Sequence, residues 1–120
     1  MAGRVSSMFL LIGALFLAVS VQEIYGGEPG GLTDPMTATP KIQRYIDMVR
    51  PDVESNVDRV LKGYKALIYR TQVVNGINYF IKVRDGDTYI HLRLYKSFGG
   101  AVRFVSAKDG MSFDDELAYF

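Results

Sequence analysis

A single histidine, no cysteine and scattered carboxylates are all that this 120-residue chain offers for covalent or acid–base chemistry. His91 sits in an alternating run, on the face opposite Ile90, Leu92 and Leu94, where a solvated or cross-strand-paired imidazole is the ordinary expectation. Without a second histidine or a thiol, neither a nucleophilic triad nor a zinc site has its parts. Asp114, Asp115 and Glu116 are adjacent, but neighbouring carboxylates are ordinarily just hydrated. Asp85 and Asp87 flank Gly86 in a pattern that turn chemistry explains. No glycine-rich phosphate loop follows a strand. The chain reads as a binder, not an enzyme, and neither a cofactor nor a metal is expected.

The stretch with a surface chemistry of its own runs from Thr71 to Ile77. Asn75-Gly76 is a strong hairpin-turn signal between two strand-like runs. Side chains alternate along a strand, so Val73 and Val74 cannot both face one core, and at least one is left exposed near the tip. An ordinary turn with one exposed valine satisfies that pattern. On residue physics alone that ordinary turn is the favoured reading; an apolar, preformed finger that enters a partner's cleft is the other. Upstream, Gly26 to Pro40 contains four glycines and three prolines, which forbid helix and give an extended, mobile arm.

These pieces need elements to position them. Thr39-Pro40 predicts a helix start, with threonine as cap and proline preorganised in the first turn. Ile42, Tyr45, Ile46, Val49, Val53, Val57, Val60 and Leu61 then form one apolar stripe. The stripe keeps its phase across Pro51, so one kinked helix is expected, ended by Gly63. Beyond Gly63 the period becomes two. Strands are expected over Tyr64 to Val74, Asn78 to Arg84, Thr88 to Ser97 and Ala101 to Ser106. Asp85-Gly86-Asp87 and Phe98-Gly99-Gly100 make the turns between the later ones. The apolar end Leu117 to Phe120 suggests a last edge strand. One helix followed by a meander with a single apolar face predicts an α+β domain, an antiparallel sheet wrapped around a helix.

The beginning of the chain is set apart. Arg4 precedes a nearly unbroken apolar run from Met8 to Val21, too short to span a membrane and suited to a secretory signal. A retained amphipathic or buried helix is the alternative. Residues 1–26 are therefore expected to be a signal peptide, 27–40 the arm and 41–120 the folded domain. A net charge of +1, with 22% charged residues, points to no nucleic-acid partner and no membrane partner once the signal is removed. Secretion is expected, with a cytoplasmic location if the signal is not used; a secreted domain without cysteines is unusual, because small ones generally supplement their cores with disulfides.

Gln72-Val73-Val74-Asn75-Gly76 resembles the Gln-Val-Val-x-Gly loop of the cystatins, and Asn78 to Val83 resembles its continuation. Pro29-Gly30-Gly31-Leu32 and Ala38-Thr39-Pro40 are similar to the N-terminal arm of the stefins, the type-1 cystatins. Val49-Arg50-Pro51, His91-Leu92-Arg93 and Asp115-Glu116-Leu117 extend the likeness over about residues 29–120. The resemblance implies a cystatin-like sheet around one long N-terminal helix. It also implies reversible, tight inhibition of papain-like cysteine proteases such as cathepsins. Carried over, Pro29, Gly30, Gly31 and Leu32 form the arm that enters the protease cleft, Gln72 to Gly76 the first loop, and Ser97, Phe98 and Gly99 the second. Both loops depart from the family pattern. Asn75 replaces a common alanine, and Phe98-Gly99 stands where stefins usually carry Leu-Pro. A monomer is expected, with strand exchange at the hairpin as the alternative. A cystatin-fold module with a non-protease partner is the other reading of function.

Overall fold

Thr39 opens the first helix as its sequence suggests. Its backbone is extended (φ −107°, ψ 167°), and its Oγ1 accepts from the Ile42 N–H at 3.3 Å. Such a cap is worth about 1 kcal/mol. The computed structural model describes residues 31–120, of which Leu32–Phe120 form one compact unit. The expected signal peptide over residues 1–26, together with Pro29 and Gly30, lies outside the described residues.

Helix α1 (Pro40–Met48) stops at Val49, and α2 (Arg50–Val57) follows at once. The single kinked helix is thus corrected to two. Pro51 lies in the first turn of α2, where its missing N–H is one that no helix bond would use. Ile42, Ile46, Val49 and Val53 are buried on both sides of the break, which is why the stripe looks continuous in sequence. The end of the helix is corrected as well. The chain leaves α2 at Asp58 (φ 59°), well before Gly63. Gly63 answers a different demand: a Cβ there would lie 2.8 Å from the Gly86 nitrogen, where two segments cross closely.

Strands β1 (Met36–Thr37), β2 (Lys65–Val74), β3 (Gly76–Asp85), β4 (Thr88–Lys96) and β5 (Val102–Met111) form one antiparallel sheet in chain order. β5 runs past Ser106, where alternation was expected to end, with register shifts opposite Tyr89/His91 and Arg93/Leu94. Tyr79, Ile81 and Val83 of β3 and Ile90, Leu92 and Leu94 of β4 bury against the helices. Each such side chain removed from water contributes roughly 1.5–3 kcal/mol. Tyr45 meets Tyr79 edge-on at 5.2 Å, and the Tyr64 hydroxyl donates to the Ile46 carbonyl at 2.6 Å.

The segment between α2 and β2 is fixed by buried polar groups. Asp85 Oδ1 accepts from the Lys62 and Gly63 amides at 2.8 and 3.0 Å, and Arg59 pairs with both Asp85 and Asp109. Burial pushes the Asp85 carboxyl up, but the two amides and Arg59 outweigh it and hold the group below its ordinary range.

The expectation of a single apolar face is corrected too. Phe80, Lys82 (5% exposed) and His91 (1% exposed) are buried on the side opposite the helices. The C-terminal tail, residues 112–120, forms no strand and instead crosses this side. Lys82 Nζ donates to the carbonyls of Phe113 and Asp115, Arg70 to that of Leu117 (2.9 Å), and Arg93 to the main-chain oxygen of Phe120 (2.7 Å). Tyr119, tilted, and Phe120, edge-on, pack against Phe80 with ring centroids 5.6 and 5.9 Å away. Cationic side chains satisfy the tail's carbonyls here, where a strand would have used a sheet edge.

Candidate functional site

The arm is less free than its composition suggests. Leu32 bridges to Gln72, the Thr33 N–H donates to the Thr71 carbonyl at 2.9 Å, and Thr33 Oγ1 accepts from the Thr71 N–H at 2.9 Å. Arg70 Nε adds a bond to the Thr33 carbonyl at 2.8 Å. Residues 32–37 thus occupy the outer edge of β2, whose backbone groups need partners. Gly31, just before them, is exposed.

The first hairpin carries the expected turn in a tighter form. Val74 pairs directly with Gly76, leaving Asn75 alone at the tip. Gly76 has φ 121°, and a Cβ there would lie 2.7 Å from the Lys96 carbonyl oxygen, so this position requires glycine twice over. Val73 is half-buried and Val74 is 41% exposed, as alternation demands. Gln72 Oε1 accepts from Asn78 Nδ2 at 2.8 Å, locking the two strands beneath the tip.

Between β4 and β5, the Gly100 N–H donates to the Ser97 carbonyl at 2.9 Å, closing a turn with Phe98 and Gly99 at its centre. Gly99 has φ 74°, the sign that a type II turn needs at that place. Phe98 points outward, 65% exposed. The register Val73↔Ile77, Ile77↔Lys96, Lys96↔Val102 puts this turn beside the first hairpin. The arm at Leu32, the Val73–Gly76 tip and the Ser97–Gly99 turn therefore share one end of the sheet. Of the sequence-selected residues, Leu32, Gln72, Val73, Val74, Asn75, Gly76, Ser97, Phe98 and Gly99 are gathered there. Pro29 and Gly30 precede the described chain.

Several residues of this end escape a sequence reading. The Tyr95 hydroxyl donates to the Asn75 carbonyl, and Arg103 lies over the Tyr95 ring at 5.0 Å. Arg70 and Thr33 hold the arm. Only strand register could have exposed them, because each partner is remote in sequence.

His91 takes no part. It is corrected from a solvated or cross-strand-paired group to a buried one whose Nε2 has no hydrogen-bond partner. Burial pushes its pKa down to about 4, and Lys82 and Lys108 add to the shift. Among the described residues no cluster of three or more histidine, aspartate or glutamate side chains could hold a metal. No helix there is long and apolar enough to cross a membrane.

A family model for the cystatin domain matches residues 30–101. Cystatin-A2 of Dictyostelium discoideum is 42% identical over 91 residues, covering 76% of this chain and 96% of that protein. Leukocyte cysteine proteinase inhibitor 1 of Sus scrofa is 38% identical over 95 residues, 76% of this chain and 92% of its own. Cystatin-A of Homo sapiens is 47% identical over 73 residues, 60% and 74% of the two chains.

Proposed function

The chain belongs to the cystatin family, and from that premise we propose that it is a reversible, tight-binding inhibitor of papain-like cysteine proteases of the cathepsin type. As a cystatin it is not an enzyme. The observation that carries the proposal is the shared end of the sheet, where arm, first hairpin and second turn form one continuous edge.

In this reading the three pieces fill the protease cleft together. Val73 and Val74 give up water contact at about 25 cal/mol per Å² of apolar area. Their hairpin is already ordered, so docking costs little conformational entropy. Gly30, with no side chain, lets backbone approach the protease thiol closely. Pro29, Gly31 and Leu32 carry the arm along the cleft, and Phe98 presents an aromatic ring from the second turn. The thiol is covered without a peptide carbonyl set in line for attack, so the inhibitor is not cleaved. The inhibitor acts as a monomer, is secreted through the signal over residues 1–26, and meets its proteases outside the cytosol.

Titration of a fixed amount of papain or a cathepsin is expected to give a sharp one-to-one loss of activity. Full activity at micromolar inhibitor overturns the reading. A second reading, a cystatin-fold module with a non-protease partner, is motivated by the changed second turn at Phe98-Gly99 and by the expected signal. Val74→Asp separates the two. It is expected to weaken protease inhibition at least a hundred-fold, because a charge would be buried unpaired in the cleft. A biological activity that survives Val74→Asp intact would belong to another surface.

A further inference from the structure

Resting on the inhibitor reading above, we propose that Tyr95 is a positioning residue, which ties the first hairpin's tip to the strand that carries the second turn. Its hydroxyl donates to the carbonyl of Asn75, the one residue at the tip. The same hydroxyl stands where a Gly76 side chain would go, so the glycine and the tyrosine fit each other. Behind it, Arg103 covers the ring at 5.0 Å from the strand that leaves the second turn. Tyr95 pairs with Asn78 on one side and Arg103 on the other, and Asn78 in turn holds Gln72 at 2.8 Å. Gln72, Asn75, Asn78, Tyr95 and Arg103 thus form one polar line across four strands.

The chemistry of the tip explains why such a tie matters. Asn75 is exposed and stands alone at the tip, and a glycine next to it restrains the backbone less than any other residue would. An untethered tip would sample orientations in which Val73 and Val74 miss the cleft, and binding would have to freeze them. A hydrogen bond made before docking removes that cost in advance. It also makes the two loops move as one body, so that Phe98 and Val74 meet the cleft in a fixed relation.

Tyr95→Phe removes the hydroxyl while keeping the ring and its contact with Arg103. The variant is expected to release papain roughly five-fold faster than wild type. Amide hydrogen exchange at Asn75 and Ile77 is expected to speed up, with exchange in the helices unchanged and the thermal midpoint lowered by no more than a few degrees. That local signature distinguishes positioning from general support of the fold. If wild type inhibits and Tyr95→Phe releases the protease at the same rate, the inference is overturned and the inhibitor reading stands. Unchanged exchange at the tip overturns it as well. A wild-type protein that leaves papain fully active overturns the inhibitor reading, and the positioning role with it.

Discussion

At the scale of single residues, Gly76 is the position with least latitude. Its φ of 121° is costly for any side chain, and an added methyl would press on the Lys96 carbonyl and the Tyr95 hydroxyl. Gly76→Ala is expected to destabilise the fold by roughly 2 kcal/mol or more and to weaken inhibition beyond what the stability loss explains. Urea denaturation and inhibition constants measured on the same protein check both halves. The importance of Asn75-Gly76 is legible from two letters, because turn chemistry is local. Tyr95 is not legible, since nothing nearby in sequence marks its hydroxyl as aimed at a turn twenty positions away.

At the scale of elements, sequence reading succeeds where the rule involves a few neighbouring residues and fails where a distant segment decides. Thr39-Pro40 starts a helix as local capping requires, and alternation locates the four long strands, though it ends the last of them five residues early. Pro51 and Gly63 are misread for one shared reason. A proline fits the start of a helix as well as a kink, and a glycine fits a close crossing as well as a cap. Gly63 is dictated by Gly86, and the segment between α2 and β2 by Asp85. Asp85→Ala strands two amides and leaves Arg59 with Asp109 alone, so a loss of about 2–3 kcal/mol is expected. Thermal or urea melts read that loss directly. Protease inhibition by the folded fraction is expected to stay at the wild-type level, since Asp85 and Gly76 lie at opposite ends of β3.

At the scale of the Leu32–Phe120 unit, the tail turns a one-faced sheet into one covered on both sides. The sequence conceals this, because Lys82 and His91 look like surface residues until the tail is laid over them. His91 faces Lys82 on β3, Lys108 on β5 and Asp115 of the tail, and is stabilised as a neutral ring. Its folded pKa of about 4 lies below the ordinary 6.5, so the unfolded chain takes up the proton first. The stability this neutral ring supports is complete above about pH 6.5 and is lost as the pH falls towards 4, on the order of 3 kcal/mol. His91→Leu is expected to flatten that part of the pH–stability curve. Parallel curves for the two proteins between pH 7 and 4 would contradict the assignment.

The length of β3 has a practical consequence. Its ten residues, at roughly 3.3 Å each, separate Gly76 from the exposed Gly86-Asp87 turn by about 30 Å. A fluorophore or an anchoring group attached at Asp87 would stand clear of the working edge. The protein therefore comes with a natural handle for mounting on a sensor chip, its loops pointing away from the support.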